Sequence, residues 1–270
     1  MTQRDDGPVY EIYAIRYATN TSRTRANNFI LDARPTEPLT LDYFSWLIKG
    51  NGQMFVIDTG VDRAKGEARN TKTLIGPVDA LRLLGVDPET TETVVMTHLH
   101  YDHTGNTDAF PRAKFLLQAE EMAYVTGPFM EHAWCRHAYD IDDICRFIGY
   151  LHTGRLNLHG KDHQIADGIS VHLAGGHCPG QEVVRVRTER GWVVLASDAL
   201  HYYEEFERGI PFAVASNIAD MIASHGRIRE LADSDDHVVP GHDPRIMDIY
   251  PKAEADPAGN IVRVDLAPHT

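Results

Sequence analysis

Apolar positions alternate with polar ones in short runs at first, then give way to mixed segments in which strand and helix spacings take turns. The run VYEIYAIRYA, residues 9–18, alternates as a strand does. DYFSWLIKGNGQMFVIDTG predicts a hairpin: an apolar strand, a turn at Lys49-Gly50-Asn51-Gly52, and a second strand ending at Asp58. GPVDALRLLGVDPE predicts a short helix over 77–84, stopped by Gly85. TETVVMTH is a buried strand running into a histidine-rich loop, and AKFLLQ is a further strand. From about 120 to 165 the chain turns aromatic-rich, and DIDDICRFIGYL sets Ile141, Ile144, Cys145, Ile148 and Leu151 at helical spacing. That stretch predicts a helical insertion packed over a site. Strand patterns resume in GISVHLAGG, EVVRVRT and GWVVLASD, followed by a helix over 218–231 and a last short strand in HVVPGH. No short-period repeat or low-complexity linker interrupts the pattern, and the polar ends are expected to fray.

At 270 residues the chain suits one large domain or two half-domains sharing a core, large enough to fold without a disulfide or metal. Its formal net charge of −13, with no Lys/Arg cluster, argues against a nucleic-acid substrate. Cys135, Cys145 and Cys178 are too irregularly spaced for a disulfide framework. The opening residues carry no apolar stretch of the export type, and no run approaches a membrane span. A soluble cytoplasmic enzyme, neither membrane-bound nor nucleic-acid-binding, is the expectation.

Chemistry enters at His98-Leu99-His100-Tyr101-Asp102-His103, three imidazoles and a carboxylate in one short segment after an apolar strand. A loop can wrap around a point and aim alternate side chains at it, which a helix cannot. Imidazole nitrogens and carboxylate oxygens are ligand types that suit zinc. Three further strand ends repeat the theme: His177 in AGGHCPG, Asp198 closing WVVLASD, and His242 after HVVPG. The glycines beside His177 are expected to let the backbone approach a ligand closely. Surface histidines cluster by accident, but four strand ends each delivering a ligand type do not.

HLHYDH, followed in order by GGH, SD and PGH, resembles the HxHxDH…H…D…H signature of metallo-β-lactamase-fold hydrolases, and most of all the N-acyl homoserine lactonase group. The resemblance runs from about Asp58 to His242. It implies an α/β fold, an αβ/βα four-layer sandwich of two mixed β-sheets flanked by helices. The expectation is one domain over 1–270, with the helical insertion at about 120–165. It also implies two divalent metal ions, zinc first and iron, manganese or cobalt as alternatives. By resemblance His98, His100 and His177 hold one ion, Asp102, His103 and His242 the other, and Asp198 bridges them. Asp58 in IDTG is either a residue orienting a ligand histidine or a cap for the turn at Thr59-Gly60.

The chemistry implied is attack of a metal-bridging hydroxide on an ester-type carbonyl, with Asp102 carrying the proton to the leaving oxygen. The expected substrate is a small lactone, either an acyl homoserine lactone or a catabolic one. Similar lactonases carry a tyrosine three residues after the bridging aspartate. His201 stands there instead, followed by Tyr202 and Tyr203. Any of the three could contact substrate, or HYYEEF could be a packed aromatic wall. Phe129, His132, Trp134, His137 and Tyr139 either line the pocket, complete the core or meet a second copy. His132 and His137 lie off the signature and are not read as a further metal site. Cys178, beside a ligand, reads as core.

A glyoxalase II-like thioesterase or a cyclic amide hydrolase would use the same ligands. The former wants basic pocket residues late in the chain, where only Arg227, Arg229 and Arg245 stand. β-Lactam hydrolysis, di-iron redox chemistry and a nuclease fit less well. A metal-stabilised binding module is the non-enzyme alternative, and a homodimer follows only by analogy with similar lactonases.

Overall fold

The computed structural model describes residues 7–269. Among these, one sheet contains β1 (Glu11–Asn20), β2 (Leu41–Gly50), β3 (Gln53–Ile57), β4 (Lys72–Thr73), β5 (Thr93–Val95), β6 (Lys114–Gln118), β7 (Leu156–His159) and β13 (Ile261–Arg263). Its order is β13-β1-β2-β3-β5-β6-β7, with β4 beside β1. Pairing is antiparallel as far as β3 and parallel from β3 through β7. The second sheet runs β12 (Val238–Pro240), β11 (Gly191–Ser197), β10 (Glu182–Thr188), β9 (Ile169–Leu173), β8 (His163–Ala166), with only β11 and β12 parallel.

Strand chemistry explains the layering. In β2, Leu41, Tyr43 and Leu47 face one cluster, while Phe44, Trp46 and Ile48 face another. Period-two alternation of large apolar side chains on both faces suits a strand covered on both sides. The second cluster lies between the sheets, joined from the other side by Val171, Val184, Val193 and Leu195. Besides the short helices α1 (Arg25–Asn28), α2 (Arg63–Glu67), α5 (Ala133–Arg136) and α7 (Tyr203–Arg208), α3 (Pro77–Leu83), α4 (Ala119–Val125) and α6 (Ile141–His152) pack outside the first sheet, and α8 (Ile218–Leu231) outside the second, through Ile228 and Leu231. Two mixed sheets flanked by helices are thus the architecture. The hairpin turn is as expected, with Asn51 and Gly52 at φ 50° and 70°, the twist two-residue hairpins favour.

Three expectations shift. Only 119–152 is helical; β7 and β8, within the stretch expected to be an insertion, extend the two sheets. Helix α6 exists, but it buries Asp143, Ile144, Phe147 and Tyr150 and leaves Ile141 72% exposed. The inward face is Ile144, Phe147 and Tyr150, which join the core of the first sheet, and burial of these large side chains turns the helix. Asp143 goes in beside them, its carboxylate meeting Lys65 at 3.1 Å, Arg146 at 2.8 Å and the Thr104 hydroxyl at 3.1 Å. Burial still holds that carboxyl above its ordinary value, so the partners offset only part of the cost. The C-terminal stretch is not frayed: β13 pairs with β1. The start of the chain, residues 1–6, lies outside the described residues.

Candidate metal centre

Every expected ligand sits at one edge, beyond strand ends. β3 leads to Asp58; β5 leads into the loop carrying His98, His100, Asp102 and His103; the β9–β10 connection carries His177; β11 leads to Asp198 and β12, past Gly241, to His242. Gly176, before His177, has a different use from the one expected: a Cβ there would lie 2.3 Å from the Met221 nitrogen, so it admits neighbouring backbone. Gly241 does the same, its Cβ position lying 2.5 Å from the Ser197 carbonyl oxygen.

The seven ligand-type side chains form two groups. His98, His100, His177 and Asp198 can bring ligand atoms within 4.8 Å of one another, as can Asp102, His103 and His242; all are buried. Asp198 joins them. Its Oδ2 lies 3.2 Å from His177 Nε2 and 3.9 Å from His98 Nε2, while Oδ1 lies 3.1 Å from His242 Nε2 and 3.3 Å from His103 Nε2. Asp102 Oδ2 is 3.7 Å from His103 Nε2 and 3.9 Å from His242 Nε2. His100 Nδ1 stands 2.8 Å from His177 Nε2.

Three imidazoles are pinned from behind. His103 Nδ1 meets Asp58 Oδ2 at 2.7 Å, His177 Nδ1 the Val214 carbonyl at 2.8 Å, and His242 Nδ1 the Asp42 carbonyl at 2.6 Å. Acceptors at Nδ1 place the proton there and leave the Nε2 lone pair turned into the cluster. Of the two readings of Asp58, the bond to His103 is the one present, and the backbone amide and hydroxyl of Thr97 hold the same carboxylate at 2.8 and 2.7 Å. Behind the loop, the Thr104 hydroxyl that meets Asp143 also donates to the His100 carbonyl, so α6 braces the ligand loop.

The donor set fits divalent cations. Among the described residues Asp58, Asp102 and Asp198 are buried with only histidines as ion-pair partners, and the Nε2 atoms of His98 and His103 have no hydrogen-bond partner. Burial, then neighbouring histidines, push His98 and His100 well below the ordinary imidazole value. Burial opposes ionisation of Asp198, but His242, His103, His201 and His177 outweigh it and hold the carboxyl well below its usual range. Neutral imidazoles at His98 and His100 beside an ionised Asp198 are the protonation state that metal binding requires. At His103 and His242 burial is outweighed by the neighbouring aspartates, which raise both above the ordinary value, so a cation binding there displaces protons.

His201 and Tyr202, both candidates for substrate contact, part ways. His201 lines the cavity over the cluster, its Nε2 3.1 Å from Asp198 Oδ2 and its ring stacked on Phe212 at 3.5 Å. With Asp198 and His242 it forms a further set of ligand type. Tyr202 is turned away: its hydroxyl donates to the Thr40 carbonyl at 2.9 Å and accepts from Asn28 at 3.0 Å. This corrects the expectation for Tyr202, whose phenol already has both partners inside the protein. Tyr203 lines a separate cleft with Arg245 and Tyr250. Cys178 is buried and belongs to none of the ligand groups.

A cavity of about 720 Å³ opens beside His100 and His177, walled by Tyr124, Phe129, Trp134, His137 and Tyr139 among others; His132 is not in its wall. The late arginines all pair elsewhere: Arg227 with Asp162, Arg229 with Asp235, Arg245 with Glu207. The cations that do reach the metal edge are Arg23 and Arg69. Sequence reasoning missed them because each is a lone basic residue in a polar loop, with no spacing to mark it.

The sequence model of the metallo-beta-lactamase superfamily matches residues 40–243. An N-acyl homoserine lactonase, AttM, of Rhizobium radiobacter is 30% identical over 185 residues, 66% of this chain and 68% of that protein. An N-acyl homoserine lactonase of Bacillus cereus is 29% identical over 169 residues, 62% of this chain and 61% of its own length. A solved N-acyl homoserine lactone hydrolase, with the product N-hexanoyl-L-homoserine at its catalytic metal centre, superposes at a TM-score of 0.72 and 20% identity. It covers 89% of this chain and 96% of its own. A quorum-quenching lactonase structure superposes at 0.73 and 22% identity, covering 88% and 93%.

Proposed function

This chain belongs to the metallo-β-lactamase superfamily, and from that premise we propose that it is a dinuclear metal-dependent hydrolase that opens the ester bond of a small lactone. The observation that carries the reading is Asp198, whose two oxygens divide between two groups of buried ligands beside the 720 Å³ cavity. His98, His100 and His177 would hold one cation, Asp102, His103 and His242 the other, with Asp198 between. Zinc suits these nitrogen and oxygen donors best. Two bound divalent cations would supply Lewis-acid polarisation of the scissile carbonyl and a water acidic enough to attack it near neutral pH.

The remaining work falls to the chain. Asp102 lines the smaller space over the ligand cluster, and its carboxylate takes the attacking water's proton and returns it to the leaving oxygen. The Tyr17 hydroxyl donates to the Asp102 carbonyl at 2.6 Å and fixes the loop at that point. His201 faces the same space and, as the neutral Nε2–H tautomer, donates to the substrate carbonyl oxygen. Phe212, stacked on its ring, limits where that nitrogen can go. The cavity wall supplies aromatic surface for an apolar substituent. No observation favours the thioesterase reading, since Arg227, Arg229 and Arg245 are paired with carboxylates.

The test is proton release by zinc-loaded protein against a lactone panel that includes acyl homoserine lactones, with a chelated control. Chelator-sensitive opening is expected, its kcat/KM reaching about 10⁴ M⁻¹s⁻¹ or more. Intact lactones in the presence of stoichiometric metal would overturn the substrate class, and thioesters and cyclic amides would follow. Protein that retains no divalent ion after loading would overturn the hydrolase itself.

A further inference from the structure

Resting on the hydrolase reading above, a second feature of the same edge bears on what the substrate must look like. The site opens on two spaces. His100 and His177 border both, but only the smaller one reaches on to Asp102, Asp198 and His242, and that one is lined by Arg23 and Arg69. The whole chain carries −13 formal charges, so two guanidiniums converging on one small cleft run against its general character.

What holds these guanidiniums is also unusual. Arg23 Nε donates to the Asn28 side-chain oxygen at 2.6 Å and one terminal nitrogen donates to the Asn27 carbonyl at 2.8 Å. Arg69 donates to the His137 carbonyl at 3.1 Å and lies 4.1 Å above the Tyr101 ring. Every one of these partners is neutral. By contrast Arg25, two residues from Arg23, meets Asp32 and Glu204. Amide oxygens and a ring face position a guanidinium without cancelling its charge, and they leave further N–H groups for a planar anion.

We infer that Arg23 and Arg69 recognise a carboxylate on the substrate, placed on the side of the scissile ester away from the aromatic cavity. The carboxylates of the smaller space, Asp102 and Asp198, are turned to histidines, whereas Glu120 and Asp220 stand at the wall of the large cavity, where Arg227 is engaged by Asp162. A negative group is therefore repelled at one end and held at the other, and this fixes which way the substrate lies. The substrate class is a lactone bearing an acidic group next to its ring, with a neutral substituent reaching toward Trp134.

The discriminating pair is 5-oxotetrahydrofuran-2-carboxylate and its uncharged carboxamide, of nearly equal size, offered to the zinc-loaded enzyme. The carboxylate should be favoured in kcat/KM by about 10- to 100-fold, the range of hydrogen bonds to charged groups. The ratio should shrink in R23Q and in R69Q, fall to about 1 in the double variant, and be largely retained in R23K/R69K, which keeps the charge. Raising sodium chloride should lower it as well. Chelator-sensitive opening of both compounds with a ratio near 1 in the wild type, or a ratio unmoved in the double variant, overturns the carboxylate assignment while the hydrolase reading stands. If neither compound opens, the lactonase reading is left to the wider lactone panel and binding decides the carboxylate assignment. Calorimetry of the zinc-loaded protein should then show succinate binding at least about 10-fold tighter than succinamate, a difference lost in R23Q/R69Q. Equal affinities would overturn it.

Discussion

The metal edge and the aromatic cavity beside it are built in opposite ways. At the metal edge each ligand follows a strand and is buried, and His103, His177 and His242 are each held through Nδ1 by a carboxylate or carbonyl. The aromatic part of the cavity wall comes from the helical stretch 119–152, with Phe129 58% and Trp134 66% exposed, and the rest from the β9–β10 connection and residues 214–227. Reaction chemistry needs ligand atoms held to a fraction of an ångström, which strand ends and buried acceptors provide. Shape recognition tolerates more play and is carried on short helices and connections. The same edge could therefore serve other substrates if the wall alone were changed.

Removing the metals attacks the rigid side at its root. Chelation, or Asp198→Ala, should abolish measurable turnover, a loss of at least about 10³-fold, while the aromatic wall is untouched. Metal analysis beside the assay checks it; full activity without metal would end the comparison. Next in size, Asp102→Asn should lower kcat by about 10² to 10⁴-fold with most of the metal retained. Near-normal turnover in that variant would remove Asp102 from proton transfer.

Asp58→Asn tests whether pinning matters as much as ligation. It leaves the ligand set complete but weakens the support for His103, so metal affinity or activity should fall by about 10- to 100-fold. A chelator-competition titration reads it, and an unchanged metal affinity together with unchanged activity would mean that the strand end suffices. On the exposed side, Trp134→Ala should cost about 10-fold in kcat/KM for long acyl substituents and much less for short ones. Its unfolding free energy should stay within about 0.5 kcal/mol of the parent, since the ring is largely exposed. Equal losses for all chain lengths would show that the ring does not meet the substituent.

The smallest effect expected is also a correction of role. Tyr202→Phe removes a hydroxyl that bridges Thr40 and Asn28. It should destabilise by about 1 kcal/mol in denaturant unfolding, with turnover changed by no more than about 2-fold. A loss of turnover on the scale of a missing general acid, about 100-fold, would return Tyr202 to the reaction.

The cluster of ligand-type residues was legible because each member follows an apolar run, and such runs announce themselves by composition and period alone. The hairpin at Asn51-Gly52, helices α3 and α8, and most strands were legible for the same reason: the signal is local. Helix α6 shows the limit. Its apolar residues Ile141, Ile144, Ile148 and Leu151 suggest one face, yet the buried face is Ile144, Phe147 and Tyr150, chosen by the core they pack against, with Asp143 and its distant partners Lys65 and Thr104 beside them. β7, β8 and β13 are short edge or border strands whose existence depends on the neighbour they pair with.

What the sequence determined by itself, then, is the donor chemistry: seven residues of ligand type, each delivered by a strand end. The tertiary structure alone decided which side chains reach that chemistry from outside the signature. It turned Tyr202 inward, set His201 over Asp198, and brought Arg23 and Arg69, from separate loops, to one cleft. The physical reason is range. Strand periodicity and turn chemistry act between residues a few positions apart, whereas the direction of a lone side chain is settled by partners that only folding brings near.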